Sequence, residues 1–206
     1  MSQSCLVAKG FLQTKGIDYE ETFAPFARLD SLHLLLAITA LLDWDIHHID
    51  IKSAYLNGDL NEEINMDQLK GFKAAKEENQ VCLLKKAIYS LKQAGWQWHT
   101  HLYCTLEELG FHKFASGNTL IFVKHHNGRD VGSILPILLI YIHDIAIFGM
   151  LTDINVFKRQ IAMCYKVSDL GEITHFLRLH IVHDHSKNTL SISQEQYIQR
   201  VLTQLQ

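Results

Sequence analysis

The chain has 206 residues, enough for one domain with a sizeable core or for two small ones. It is 48% hydrophobic and 20% charged, which is ordinary for a globular protein. Its formal net charge of −3 does not favour a strong nucleic-acid binder, because such proteins are usually basic overall or on one face. No apolar run is long enough for a transmembrane helix, and four widely spaced cysteines without a CxxC pair argue against a disulfide framework or a cysteine zinc site. We therefore expect an intracellular, cytoplasmic protein without membrane attachment.

The N-terminal half of the chain is predicted to alternate between helices and short strands. The first helix follows a capping residue, Asp30 or Ser31, and the second ends before Gly110, which suits a helix C-terminus. Turn signals separate the apolar segments between them. In chain order, the predicted elements are a helix at 31–43, strands at 44–51, 64–66 and 81–84, and a helix at 93–109.

The C-terminal half is predicted to continue with hairpins and helices. Apolar runs flank Tyr141 to Asp144, as expected for two buried strands joined by a tight turn. The segment 152–165 has helical spacing, with Thr152 or Asp153 as its cap. The remaining elements are a strand at 119–126 that ends at the turn Asn127–Gly128, a hairpin formed by 175–184 and 189–194, and a final helix at 195–206.

Helices alternate with hairpins along the chain, so the predicted fold class is α+β, an antiparallel sheet with helices packed on one face. The chain has only two prolines and no low-complexity segment or repeat, so no linker is expected. It begins close to a predicted strand and ends within a predicted helix, which suggests truncation at both ends.

Two acidic residues stand at the ends of apolar strands, Asp50 after one and Asp144 in the tight turn of another. If those strands are neighbours, the two carboxylates converge. Hard oxygen ligands suit Mg²⁺, and two such ions could clamp the attacking and leaving oxygens of a phosphoryl transfer. Taken alone, each aspartate is more often a turn or cap residue.

Thirteen histidines are many for this length, and three of them resemble a metal cluster. His180, His183 and His185 fall in a strand-like stretch, however, without a matching set of acids or cysteines nearby in the sequence. A histidine-rich metal-binding module is therefore the weakest of three functional hypotheses.

Six long motifs stand in a fixed order along almost the whole chain. They are LVAKGFLQTKGIDYEETFAPFARLDSLHLLLAITA (6–40), DWDIHHIDIKSAYLNGDLNEEINMDQ (43–68), VCLLKKAIYSLKQ (81–93), YIHDIAIFG (141–149), DLGEITHFLRLHI (169–181) and LSISQEQYI (190–198). Together they resemble the reverse transcriptase domain of copia-type LTR retrotransposon Pol polyproteins. This order of long motifs is far more specific than any single short pattern.

The resemblance implies a right-hand polymerase fold within one domain, 1–206: a palm, partial fingers and the start of a thumb. It also implies two Mg²⁺ ions, with Mn²⁺ as a possible substitute, and RNA or DNA template-primers and dNTPs as partners. A virus-like particle or the nucleus becomes an alternative location. The implied boundaries are fingers at 1–40 and 57–93, palm at 41–56 and 94–168, and palm edge with the start of the thumb at 169–206.

Four further residues match family positions near the incoming nucleotide. Tyr55 matches the aromatic residue that screens the sugar 2′ position, although a simple core tyrosine is an equal reading of the sequence. Lys9 stands in the fingers strand whose basic residues face the triphosphate. Lys92 and Gln93 stand in the segment that faces template and nucleotide.

The resemblance implies that Asp50 and Asp144 bind the catalytic metals, but His143 departs from the family pattern. It stands at the position of the first aspartate in the family's Tyr-x-Asp-Asp turn. In the family, that aspartate ligates a metal. An imidazole removes one negative charge and offers nitrogen, which Mg²⁺ accepts poorly. An RNA-directed DNA polymerase with impaired catalysis is therefore expected, and the alternative is a non-catalytic relic that binds nucleic acid or serves only a structural role.

Three other departures affect residues outside the metal pair. Cys5 replaces an arginine expected near the triphosphate. Ser90 replaces a glycine where the backbone is expected to approach a nucleotide closely. Arg178 replaces a glycine in a hairpin, where it is expected to strain a tight bend.

Overall fold

The structure, a computed structural model, describes residues 6–22, 24–25, 27–69, 71–72, 80–114, 120–125 and 134–204. Cys5 and the predicted turn Asn127–Gly128 lie outside these ranges. The helices of the described part are α1 (Leu29–Leu42), α2 (Ala94–Glu108), α3 (Leu151–Cys164) and α4 (Glu195–Gln204). Its strands are β1 (Asp45–Ile51), β2 (Asn65–Asp67), β3 (Val81–Leu83), β4 (Phe111–Lys113), β5 (Ile121–His125), β6 (Ile134–Tyr141), β7 (Asp144–Gly149), β8 (Val167–Glu172), β9 (His175–Phe176), β10 (Leu179–Asp184) and β11 (Thr189–Ser193).

The mixed α+β class is confirmed, and the chain divides into two compact units. The first unit consists of residues 1–24 and 53–105, and the second of residues 25–52 and 106–206. In the described residues, no helix is both long and apolar enough to cross a membrane.

The second unit is built on an antiparallel sheet in the order β4-β5-β6-β7-β1-β8. The predicted strands β1, β5, β6 and β7 form its centre, and the sequence analysis missed the short or irregular strands β4 and β8. β8 pairs with β1 through an irregular register at His47 to Ile49, and Gly171 within it has a positive φ of 74°. These departures from alternation explain why β8 gave no clear strand pattern.

Helices pack on both faces of this sheet, so the prediction of helices on one face is wrong. Leu32 and Leu35 of α1 share a buried cluster with Ile46 of β1. On α3, the Phe157 ring packs against Phe111 of β4 with centroids 5.2 Å apart. Lys158 of α3 contacts His47, the residue that follows Ile46 in β1. Neighbouring strand residues point to opposite faces, so the two helices cover opposite sides. The continuous apolar runs of β6 and β7 are typical of strands buried on both faces.

A small sheet of β9, β10 and β11 completes the second unit and confirms the predicted hairpin. Phe176, Leu179 and Ile181 enter the same buried cluster as α1. β9 and β10 are joined by Leu177 and Arg178, whose φ values of 50° and 66° are both positive. A two-residue turn of this kind favours glycine or asparagine, which confirms the predicted strain at Arg178.

The predicted helix caps are not used. α1 begins after Arg28 and α3 after Met150, and neither N-terminus has a side-chain capping bond. Asp30 and Asp153 instead lie inside the first turns of α1 and α3, where a negative charge interacts favourably with the helix dipole.

The first unit has its own small core, formed by Ile64, Ala87, Ile88, Leu91 and Ala94. It contains the β2–β3 hairpin, which confirms the two predicted short strands.

A tight turn in the first unit holds Ser90 in the left-handed region, with φ 72°. The Leu91 N–H donates to the Ile88 carbonyl at 3.4 Å, so Ser90 occupies the turn position that glycine favours. The carbonyl of Ser90 lies against Gly10, where a Cβ atom would collide with it. Gly10 is therefore required by close backbone approach, and Ser90 is strained by its left-handed conformation.

We predict that Ser90→Gly stabilises the protein. The left-handed conformation costs a non-glycine residue about 1 kcal/mol, and the greater freedom of glycine in the unfolded chain offsets part of the gain. The free energy of unfolding in urea should rise by about 0.5 kcal/mol. The control is Ser191→Gly, at an exposed residue of β11 whose φ is not positive, and it should lower the free energy of unfolding. If Ser90→Gly also lowered the free energy of unfolding, Ser90 would not be strained.

Lys158 links three elements of the second unit beneath the central sheet. Its Nζ lies 2.6 Å from His47 Nδ1 and 2.6 Å from Asp169 Oδ1. Burial, and then the charge of Lys158, lower the pKa of His47. Burial acts to raise the pKa of Asp169, but the hydrogen bonds from Lys158 and the Gly171 N–H outweigh it and lower the pKa.

The lowered pKa of His47 predicts a loss of stability in mild acid. The unfolded chain binds this proton more readily, so stability present above pH 6.5 is lost as pH falls towards the folded pKa. His47→Gln should make urea midpoints less steeply dependent on pH between about pH 7.5 and 5.5. His33→Gln is the control, because His33 is an exposed residue of α1. An equal change of the pH dependence in both variants would exclude His47 as the source of the stability loss in acid.

Candidate metal centre at the ends of β1 and β7

The strand register brings the two predicted aspartates together. β1 and β7 pair antiparallel, and Asp50 stands directly opposite Asp144. Residues opposite each other in such a pair have Cβ atoms about 5 Å apart and project from the same face. The predicted convergence of the two carboxylates is therefore confirmed, and it follows from the pairing of two apolar strands.

The turn between β6 and β7 places His143 beside this pair. Tyr141 pairs with Asp144, so Ile142 and His143 form a two-residue loop. Ile142 has a positive φ of 57°, which is strained for a β-branched residue. The Ile51 N–H donates to the carbonyl of His143 at 2.9 Å and holds the loop against the end of β1.

Two carboxylates and one imidazole form a candidate metal-binding group. His143 Nε2 lies 3.7 Å from Asp50 Oδ1 and 3.7 Å from Asp144 Oδ2. One ligand atom from each residue lies within 4.8 Å of the others. The side chain of Asp50 is 16% exposed and that of Asp144 is 29% exposed, so both carboxylates are partly shielded from water. This donor set fits one divalent ion, with Mn²⁺ suited better than Mg²⁺ because of the nitrogen ligand.

Each carboxylate also has a cationic or polar partner that the sequence analysis missed. His48 Nε2 lies 2.8 Å from Asp144 Oδ1, and Lys52 forms an ion pair with Asp50. Alternation along β1 puts His48 and Asp50 on one face of the strand, so the histidine two residues before the aspartate was the available signal. These contacts partly neutralise the pair and compete with a metal ion for its oxygens.

A cleft of about 500 Å³ opens beside Asp144. His48 and Tyr141 line it near the carboxylate, and Phe176 and Arg178 line it from the small sheet. The cleft therefore gives a ligand access to Asp144 and places one arginine along its wall.

The residues matched to nucleotide binding belong to the first unit. Lys9 and Lys92 are exposed, and Tyr55 is half-buried with its ring 4.8 Å from that of Tyr89. Gln93 is fully buried: its Oε1 accepts from Gln13 at 3.0 Å and its Nε2 donates to the Asp18 carbonyl at 2.9 Å. The side-chain amide of Gln93 is thus committed to the fold of its own unit.

Comparison with known proteins identifies the family. The model of the family described as reverse transcriptase (RNA-dependent DNA polymerase) matches residues 2–206, so this chain belongs to that family. Polymerases of this family act on nucleic-acid template-primers and generally use divalent metal ions.

Relatives with assigned names support the copia-type resemblance. The chain is 36% identical over 96% of its length to the retrovirus-related Pol polyprotein from transposon TNT 1-94 of Nicotiana tabacum. It is 32% identical over 94% of its length to the corresponding polyprotein from transposon RE1 of Arabidopsis thaliana. The chain spans only 14% and 13% of these two relatives. No solved structure matches the chain significantly.

We predict that Lys52 competes with metal binding at Asp50. Lys52→Met should tighten Mn²⁺ binding up to about fivefold, because a half-exposed ion pair is worth up to about 1 kcal/mol. Asp144→Asn should abolish binding at this site. The paramagnetic resonance signal of free Mn²⁺ measures both effects.

Lys166→Met is the matched control for charge, because exposed Lys166 lies beside Lys52, whose N–H donates to its carbonyl at 2.9 Å, whereas the ion pair with Asp50 is formed by Lys52. It should leave Mn²⁺ affinity unchanged. An equal gain in both lysine variants would show that net charge, and not the contact with Asp50, controls binding.

Proposed function

We propose that this chain is a reverse transcriptase domain with an impaired catalytic centre. In this proposal, Asp50 and Asp144 hold divalent metal at the floor of a palm to which residues 41–56 and 94–168 belong. The observation that carries it is the direct pairing of the two aspartates across β1 and β7, with the imidazole of His143 within 3.7 Å of both. Residues 1–40 and 57–93 would supply the fingers, and residues 169–206 the palm edge with the start of a thumb.

In the proposed reaction, a primer 3′-OH on an RNA or DNA template attacks the α-phosphate of a deoxynucleoside triphosphate, so that a phosphodiester bond forms, the bond between the α- and β-phosphates breaks and pyrophosphate leaves. Divalent metal would lower the charge on the attacking and leaving oxygens, while the two aspartates orient it. Exposed Lys9 and Lys92 would contact the triphosphate, and Tyr55 would screen the sugar. We propose a positioning role for Gln93, which holds the segment of Lys92, because its own amide is buried.

The impairment follows from charge and ligand chemistry at position 143. The family pattern has three carboxylates where this chain has two, so this site would bind divalent metal less strongly. Mg²⁺ also accepts imidazole nitrogen poorly. Loss of a direct metal ligand should slow the chemical step on the order of 1000-fold, or about 4 kcal/mol of transition-state stabilisation.

A non-catalytic relic with the same fold is the second candidate. It is favoured by the contacts that already occupy the carboxylates, from His48 to Asp144 and from Lys52 to Asp50. Such a domain would retain at most salt-dependent binding to an RNA–DNA hybrid.

Primer extension by the purified chain tests the proposal. We expect weak incorporation of dTTP on poly(rA)·oligo(dT), greater with Mn²⁺ than with Mg²⁺, since Mn²⁺ tolerates nitrogen ligands better. His143→Asp should restore the missing ligand and raise incorporation with Mg²⁺ by on the order of 100-fold or more.

His33→Asp is the matched control, because it makes the same change of residue as His143→Asp at an exposed position of α1. It should not change incorporation, and Asp50→Asn should abolish whatever signal is present. If neither the wild-type chain nor His143→Asp extends a primer above the Asp50→Asn background, the polymerase proposal is wrong and the relic remains.

A further inference from the structure

A second cluster of metal-binding side chains lies beyond the opposite end of β1 from Asp50. Asp43 ends α1 two residues before that strand, and His183 and His185 stand at the end of β10. One ligand atom of each lies within 4.8 Å of the others. At about 3.3 Å per strand residue, roughly 20 Å of β1 separates Asp43 from Asp50, so the two clusters are distinct.

His183 is the member of this cluster that the fold itself leaves unexplained. Both of its ring nitrogens are buried, and neither has a hydrogen-bond partner among the described residues. Leaving a buried polar group unpaired is unfavourable, so such a group in a native structure needs a ligand or another explanation.

The other two members are already arranged around a shared point. His185 Nδ1 lies 2.7 Å from Asp43 Oδ1, and the rings of His183 and His185 lie with centroids 3.8 Å apart. The backbone of Asp43 lies in the left-handed region at φ 50°, at the C-terminal end of α1. The carboxylates of Asp45 and Glu172 also act on His183 electrostatically and would favour a cation here.

We propose that Asp43, His183 and His185 bind a zinc ion, with water in the remaining position. Zinc takes imidazole nitrogen and carboxylate oxygen at about 2.0–2.2 Å, which places tetrahedral ligand atoms about 3.4 Å apart. The separation of His185 from Asp43 would therefore open by about 0.7 Å, a shift that side-chain rotation at exposed residues supplies. Two nitrogens with one oxygen favour zinc over Mg²⁺.

The zinc site differs from the histidine cluster that the sequence suggested. His180 lies on the opposite face of β10 from His183, and its ring stacks on His175 with centroids 4.7 Å apart. The acid that the local sequence lacked is Asp43, which is 142 residues away from His185 along the chain.

Bound zinc would join the C-terminal end of α1 to the β10–β11 hairpin. Both elements belong to the second unit and already share a buried apolar cluster. The site therefore stabilises the fold rather than taking part in nucleotide transfer, and it does not depend on the proposed polymerase activity.

Zinc titration of the purified chain by calorimetry tests the proposal. We expect His183→Gln and Asp43→Asn each to weaken zinc binding by more than about 100-fold, the upper limit for loss of a second-shell contact. Asparagine tolerates the left-handed backbone at position 43, so Asp43→Asn should remain folded even if His183→Gln does not. Mg²⁺ should not compete with zinc at this site.

His180→Gln is the matched control, because it removes a histidine from the same strand on the other face. Exposed Cys82, Cys104 and Cys164 can also take up zinc, so the difference between variants, and not the total amount bound, is the readout. Zinc should also raise the melting temperature of the wild-type chain and of His180→Gln, but not of Asp43→Asn. Equal zinc affinity and equal thermal shift in all variants would overturn the proposal and leave Asp43 and His185 as a simple ion pair.

Discussion

The pairing of β1 with β7 is the constraint on which the rest of the structure depends. Both strands lie inside the sheet, β7 with a continuous apolar run and β1 with isoleucines between polar residues, and their register sets Asp50 opposite Asp144. Because strand side chains alternate between faces, a slip of one residue would turn every side chain of β7 to the other side. The buried residues on both faces, among them Ile145 and Phe148, oppose such a slip. The site geometry is therefore a by-product of core packing.

This dependence means that a substitution in the turn between β6 and β7 leaves the fold of the second unit intact. His143 lies in a loop of two residues outside the buried register, and its side chain is 42% exposed. A substitution there changes the charge and the donor atoms of the site without disturbing the core. Ile51 still binds the carbonyl of His143, so the turn geometry does not require an aspartate at this position.

Local pattern was sufficient for most elements and for the carboxylate pair, because apolar runs and turn signals specify strands and hairpins. It failed where the decisive partner was remote in sequence. The contacts from His48 to Asp144 and from His185 to Asp43 each join distant segments. The continuous apolar runs of β6 and β7 indicate a sheet that is buried on both faces. The sequence-based prediction nevertheless placed helices on one face only. The roles of Tyr55, Lys9 and Lys92 came from the family resemblance and stay predictions.

The left-handed residues in the described part of the chain bear on how many further substitutions this fold can accept. Aspartate and asparagine adopt this conformation easily, but serine, leucine, isoleucine and arginine cost about 1 kcal/mol each. Domains of this kind have only about 5–15 kcal/mol of total stability, so several such positions use a sizeable fraction of it. This chain should therefore tolerate few further destabilising substitutions. A core substitution that leaves a chain with glycine at these turns folded would unfold this chain. The residues concerned are Ser53, Ser90, Ile142, Leu177 and Arg178.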